Sequence, residues 1–228
     1  VKFQILQGIV ETRSSFTSGF ASMRVPPQTI LFAQHGMTDL SGSQTISKLA
    51  AALGLENTLL VAPELHWVRT LFYLEPLIRS VEAEVLNTLA RYPQVPIRTI
   101  ATSMGGVLWV ELLDRHPEWW SRVHSLILLG SPIGGSEIAQ KVDPFRWGVG
   151  IAKDLSVNRR AIAQKIAAEI PTLVVASDFG QGHDGVVSVA STQIPGAAFV
   201  CLSGVSHPDL RIHPAVMQEI WKFWAEMK

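Results

Sequence analysis

The sequence predicts an α/β fold: a mostly parallel central sheet with helices on both faces. Three observations predict it. Short continuous apolar runs alternate with longer runs of helical spacing, the pattern left by strands that are buried on both faces. The apolar fraction is 47% against 17% charged, which is enough to furnish a core on each side of a sheet. The chemically reactive candidates each fall just past the end of a strand-like run, where the loops at the carboxyl edge of a parallel sheet gather.

The elements follow in order. Residues 3–10 and 18–25 read as a leading hairpin. Thr29-Ile30-Leu31-Phe32-Ala33 reads as a buried strand. Across residues 41–53 the apolar Ile46, Leu49, Ala50 and Leu53 recur at helical spacing. Thr58-Leu59-Leu60-Val61-Ala62 is the next strand, stopped by Pro63. Residues 71–90 form a long amphipathic pattern, with Pro76 marking either a kink or the true start of the helix. Pro96-Ile97-Arg98-Thr99-Ile100 is strand-like, and Val107-Leu108-Trp109-Val110-Glu111-Leu112-Leu113 is helix-like. Residues 125–129, Pro171-Thr172-Leu173-Val174-Val175-Ala176-Ser177 and Ala198-Phe199-Val200-Cys201-Leu202 complete the strands. Residues 213–227 close the chain as a helix, with Pro214 tolerated in its first turn.

At 228 residues the chain is most simply one domain, spanning 1–228. A formal net charge of +0 argues against a nucleic-acid binder or a polybasic membrane surface. No apolar run approaches the roughly 18 residues of a transmembrane helix. Val1-Lys2-Phe3-Gln4 leads straight into a strand-like pattern with no visible signal peptide. The expectation is therefore a cytoplasmic protein, although a leader already cleaved would leave the same pattern. The single cysteine, Cys201, forbids an internal disulfide framework and reads as a small buried hydrophobe.

The decisive stretch is Ala101-Thr102-Ser103-Met104-Gly105-Gly106. A small-x-Ser-x-Gly sequence between a strand and a helix marks a nucleophile elbow, a turn so sharp that the flanking positions must be small. Ala101 stands where glycine is usual, at the expense of one methyl group. The elbow raises the Ser103 hydroxyl above the sheet and aims the helix N-terminus, with its free N–H groups, at the same spot. A serine needs a base and an orienting acid. His183-Asp184-Gly185-Val186-Val187 follows one later strand and Gly204-Val205-Ser206-His207-Pro208 the next, in the order Ser, Asp, His.

With these motifs, and with Gln34-His35-Gly36 upstream, the chain resembles the α/β-hydrolase superfamily and its small lipase- and esterase-like members over essentially its whole length. The resemblance implies Ser103 as nucleophile, Asp184 as acid and His207 as base. It also implies an oxyanion hole made by the backbone N–H groups of Met104 and Met37. The departures are Ala101, and Ser188 where many relatives have proline; neither removes a functional group. Residues 133–170 hold no strand and are long for a plain crossover. They contain Ile138, Val142, Phe145, Trp147, Val149 and Ile151, with a helical tail over 159–169. The resemblance implies a lid or cap insertion there; ordinary packing between two strands is the alternative.

Each residue has a plainer reading. Asp184 could be a turn residue before Gly185, with Asp178 as its competitor for the acid. His213 rivals His207. His35 reads either as a support for the oxyanion loop or as a turn cap. Trp67, Ile133, Trp147 and Val205, with His35 and Gly36, are candidate pocket residues, and Leu65-His66-Trp67 reads equally as a surface loop. An apolar pocket would favour an acyl chain or an aromatic ester. His183 and Asp184 are too few for a metal site, so no metal and no cofactor is expected. Glu82 and Glu84 read as solvated charge, and Trp119 and Trp120 as packing residues.

The leading expectation is a serine hydrolase acting on a small carboxylic ester through an acyl-enzyme. The same constellation serves a thioesterase, an amidase or an acyltransferase. A non-enzymatic ligand-binding module of the same fold is the rival from another class, and a scaffold that docks a partner is a third. Oligomeric state is not legible.

Overall fold

The computed structural model describes residues 5–6, 26–37, 43–65, 73–135 and 150–227. Seven strands form one sheet: β1 (Ile5–Leu6), β2 (Thr29–Gln34), β3 (Thr58–Val61), β4 (Ile97–Thr102), β5 (Val123–Leu129), β6 (Thr172–Asp178) and β7 (Ala198–Ser203). Their spatial order is β1-β3-β2-β4-β5-β6-β7, and each of these strand pairs is parallel. The expected leading hairpin lies outside the described residues except for Ile5 and Leu6, which pair with Leu60 and Val61.

Apolar runs in β2, β4, β5 and β6 are continuous because both faces are covered. Ile30 and Phe32 of β2 point to one core cluster, while Leu31 and Ala33 point to the other. Leu126 and Leu128 of β5 likewise face opposite to Ile127 and Leu129. The first cluster is closed by α2 (Leu74–Arg91), α3 (Met104–Arg115) and α5 (Arg160–Glu169). The second is closed by α1 (Gln44–Ala52), through the predicted Ile46, Leu49 and Ala50, and by α7 (Pro214–Glu226), through Val216, Ile220 and Trp224. Helix α3 is buried on nearly its whole circumference, as the central helix of the layer must be. Between these, α4 (Ile151–Ser156) precedes α5, and a single turn, α6 (Val189–Thr192), follows β6.

Pro76 is the third residue of α2 and so marks its start, where the first N–H groups have no partner one turn back. The N–H of Leu74 donates instead to Asp154 Oδ2 of α4 at 2.8 Å. The buried Arg159 then ties this segment down, donating to Glu111 Oε1 of α3 at 2.5 Å and to the Asp154 carbonyl at 2.7 Å. The flanks of residues 136–149 close on one another, the Arg159 N–H donating to the Ile133 carbonyl at 2.8 Å. Residues 136–149 themselves lie outside the described residues. Among the described residues no helix is long and apolar enough to cross a membrane.

A polar seam joins α2 to the end of α3. Arg115 forks onto Glu75 at 3.2 and 2.6 Å and Arg79 adds a bond at 2.9 Å; these guanidinium groups hold the Glu75 carboxyl at about 2. His116 has Nε2 2.7 Å from Glu82 and Nδ1 2.7 Å from Glu118, and its ring stacks on Trp119 at 3.9 Å. Burial pushes the His116 pKa down, but the two carboxylates outweigh it and the net direction is up. The expectation that Glu82 and Glu84 are solvated charges is therefore corrected: Glu82 is bonded to His116, and Glu84 is half-buried, which raises its pKa. Trp119 is buried and the Trp120 indole donates to the Leu113 carbonyl at 2.7 Å, so both pack.

Cys201 is also corrected. It is exposed, because β7 is the edge strand and only Val200 and Leu202 turn toward the second cluster. Partial desolvation and then the neighbouring Asp178 charge push its thiol pKa up, away from thiolate at neutral pH.

Candidate active site

Ser103, Asp184 and His207 lie at the carboxyl edge of the sheet, past the ends of β4, β6 and β7. β4 ends at Thr102, and the chain reverses through Ser103 at φ 54°, ψ −129° before α3 begins at Met104. A left-handed backbone at a residue with a Cβ costs about 1–3 kcal/mol and persists only where its surroundings hold it. The Ser103 N–H donates to the Leu129 carbonyl of β5 at 2.9 Å, and the Ser103 carbonyl accepts from Gly106 at 3.0 Å. Gly105 is obligatory for a second reason: a Cβ there would lie 2.6 Å from the His35 carbonyl oxygen. Ala101, at the other small position, is fully buried.

His207 follows β7 on the turn that ends at the fully buried Leu210. Its Nδ1 lies 2.6 Å from Asp184 Oδ2, and its N–H donates to the Asp184 carbonyl at 2.8 Å. The Asp184 carboxylate is only 1% exposed. Its Oδ1 accepts from the N–H groups of Val186 at 2.9 Å and Val187 at 2.7 Å. Three donors thus hold one buried charge, as a buried carboxylate requires. The carboxylate fixes a proton on Nδ1 and leaves Nε2 as the basic nitrogen. Asp178, the competing acid, accepts instead from Gly180 at 2.8 Å and Gly182 at 3.1 Å, and His213 caps α7 through Ala215.

The end of β5 stands between serine and dyad. Leu129 receives the Ser103 N–H, and a Cβ on the next residue, Gly130, would sit 3.0 Å from Asp184 Oδ2 and 3.2 Å from His207 Nδ1. Ser103 is half-buried, and its hydroxyl has no hydrogen-bond partner among the described residues.

The turn after β2 presses on the serine. A Cβ on Gly36 would lie 2.7 Å from Ser103 Cβ and 3.3 Å from its Oγ, so only glycine fits there. Met37 follows, half-buried against the first core cluster, and Met104 opens α3 with its side chain buried. His35 is 1% exposed; Nδ1 bonds the Gly36 carbonyl at 3.0 Å and Nε2 accepts from the Leu65 N–H at 3.1 Å. Its place is corrected from pocket residue to support of the turn. Ile133 and Val205 are fully enclosed in the two core clusters. Trp67 and Trp147 lie outside the described residues.

Two contributors were not singled out from the sequence. Ser177 of β6 is buried and its hydroxyl donates to the Leu202 carbonyl at 3.0 Å and also to that of Val205, pinning the turn that carries His207. Glu64 reaches His35 Nε2 at 3.1 Å. Their only sequence signal is position, at or just past the end of a strand. Among the described residues, no three His, Cys, Asp or Glu side chains group so as to hold a metal ion.

Solved structures share this arrangement of elements. Est1E from Butyrivibrio proteoclasticus superposes with a TM-score of 0.64 at 17% identity, over 89% of this chain and 89% of its own. The mature lipase BlEst2 from Bacillus licheniformis gives 0.61 at 15% identity, over 86% and 92%. The 2-hydroxy-6-oxo-6-phenylhexa-2,4-dienoate hydrolase from Rhodococcus gives 0.60 at 15% identity, over 87% and 91%. The chain has the α/β-hydrolase fold. No family model and no curated protein matches the sequence, so it is the α/β-hydrolase fold that relates this chain to those three. Ser103, Asp184 and His207 each follow the carboxyl end of a strand of that sheet.

Proposed function

We propose that this protein is a serine hydrolase that cleaves a small carboxylic ester through an acyl-enzyme. The observation that carries the reading is the bond from His207 to a buried carboxylate, 2.6 Å long, beside a serine held left-handed at the head of α3. Ser103 Oγ attacks the ester carbonyl as His207 Nε2 takes its proton. Asp184 stays ionised, holds the imidazole in one tautomer and stabilises the imidazolium. The backbone N–H groups of Met104 and Met37 receive the oxyanion, each contributing on the order of 3 kcal/mol to the transition state. His207 returns the proton to the leaving alcohol, and a water deprotonated by His207 then releases the acid. The serine hydroxyl has no partner among the described residues; catalytic contacts tighten when substrate binds.

The names lipase and hydrolase borne by the similar structures support hydrolysis, and lipase supports an ester bond. The chain is proposed as one domain, 1–228, with 133–170 as a cap insertion whose flanks are anchored by Arg159 and Asp154. The test is steady-state hydrolysis of p-nitrophenyl esters of rising acyl length, with Ser103→Ala alongside. Turnover lost in the variant supports the reading. Fluorophosphonate labelling of Ser103 without ester turnover would move the substrate to a thioester or amide. No labelling of the folded protein would leave a ligand-binding module.

A further inference from the structure

The oxyanion donor proposed at Met37 is only as well placed as the turn that bears it. His35 Nδ1 holds the Gly36 carbonyl at 3.0 Å, one residue before Met37. The other ring nitrogen, Nε2, lies 3.1 Å from Glu64 Oε1, and the Leu65 N–H reaches it at 3.1 Å. The second oxygen of the same carboxylate, Glu64 Oε2, accepts from the Ser43 N–H at 3.0 Å, immediately ahead of α1. One side chain from the end of β3 therefore grips the chain on both sides of residues 36–42: at residue 35 through the imidazole and at residue 43 through the backbone. The proton on Nδ1 serves the Gly36 carbonyl in either charge state of the ring. Nε2 accepts from Leu65 when neutral and donates to Glu64 when protonated, so the ring is held by residue 65 in one charge state and by Glu64 in the other.

We infer that Glu64 is a positioning residue that sets the oxyanion turn through His35 and Ser43. The inference rests on the proposed serine-hydrolase reading and adds a residue 29 positions along the chain from His35. Glu64 touches no reacting atom; it limits how far Gly36 and Met37 drift from Ser103. Its effect belongs in the transition state, where the oxyanion forms, and not in ground-state binding. The side chain is 43% exposed, so truncation leaves no buried cavity.

The experiment compares wild type, Ser103→Ala, Glu64→Ala and Glu64→Gln in kcat and KM for the best p-nitrophenyl ester, with Tm measured on each. Glu64→Ala should lower kcat about tenfold with KM within about twofold, since small displacements of a reacting geometry are costly. Glu64→Gln should keep at least about half of kcat, because its amide oxygen still accepts from Ser43 and its N–H₂ donates to His35 Nε2. An unchanged kcat in Glu64→Ala overturns the inference, and so does a loss shared equally by kcat, KM and Tm. Equal losses in the Ala and Gln variants overturn the tether in favour of charge alone. Wild-type turnover that survives Ser103→Ala, or is absent, removes the proposed function and this inference with it. Ser103-dependent turnover with an indifferent Glu64→Ala removes this inference alone.

Discussion

His207 and His116 stand at nearly the same distance from carboxylates, 2.6 and 2.7 Å, yet they do opposite jobs. His116 bonds through both ring nitrogens to two acids on the outer seam, one of them, Glu118, 62% exposed. His207 uses only Nδ1, on an acid that is 1% exposed, and its Nε2 has no partner among the described residues. Residues 104–122 contain no left-handed backbone, whereas Ser103 is one of three such non-glycine residues among those described. In the seam both ring nitrogens of the histidine are engaged. The carboxyl edge keeps one basic nitrogen and one hydroxyl unengaged beside a strained turn. Pairing with a carboxylate is common to both histidines; the unengaged nitrogen is what sets His207 apart as the proposed base.

The sharpest break of this contrast is Ser103→Ala, expected to lower kcat by about 10⁴-fold or more while leaving Tm unchanged or raised. Ser103→Gly should raise Tm by a few degrees in thermal denaturation, since glycine relieves φ 54°. Next is Asp184→Asn, expected to cost on the order of 10³-fold in kcat, because an amide facing Nδ1 favours the wrong tautomer. Gly36→Ala should cost about 10²-fold, since its methyl would press on Ser103 at 2.7 Å; circular dichroism would show the fold retained.

The seam responds differently. The folded pKa of His116 lies above its ordinary 6.5, so its contribution to stability is full below about that pH and fades as pH rises through the folded value. His116→Gln should flatten that decline in Tm against pH and lower Tm at pH 6 by about 2–4 °C, with kcat unchanged. A change in kcat would mean that the two regions are coupled. The smallest effect is at Cys201: alkylation with iodoacetamide should be slow at pH 7 and leave turnover unaltered, as a raised thiol pKa far from His207 requires.

Much of the fold was legible because a parallel sheet writes both of its faces into the same run. Leu31 and Phe32 face opposite cores, yet adjacent they announce one buried strand. The elbow was legible because Ala101, Ser103 and Gly105 answer a local steric demand. Asp178 ends β6 and Asp184 follows it, and what sets Asp184 apart is a contact with residue 207, which no local pattern records. Cys201 was misread because an apolar run does not say whether its strand is interior or edge. Glu82 was misread for a similar reason: helix spacing does not foresee His116, 34 residues on. His35 reads either as a loop support or as a turn cap, and only Glu64 and Leu65, past the neighbouring strand, separate the two.

The strand order has a consequence for when the molecule becomes reactive. Ser103 directly follows the central β4, which β2 and β5 already flank, whereas His207 hangs from β7, the last strand of the sheet and its outer edge. A chain made from its N-terminus can dock five strands and present a finished elbow while the proposed base has yet to be synthesised. On the proposed reading, Ser103 then has no base and stays unreactive until the last strand is in place. The same geometry acts in reverse. If β7 and α7 detach as a unit under mild denaturant, activity disappears before the central sheet opens. Hydrogen exchange followed together with turnover would reveal that gap.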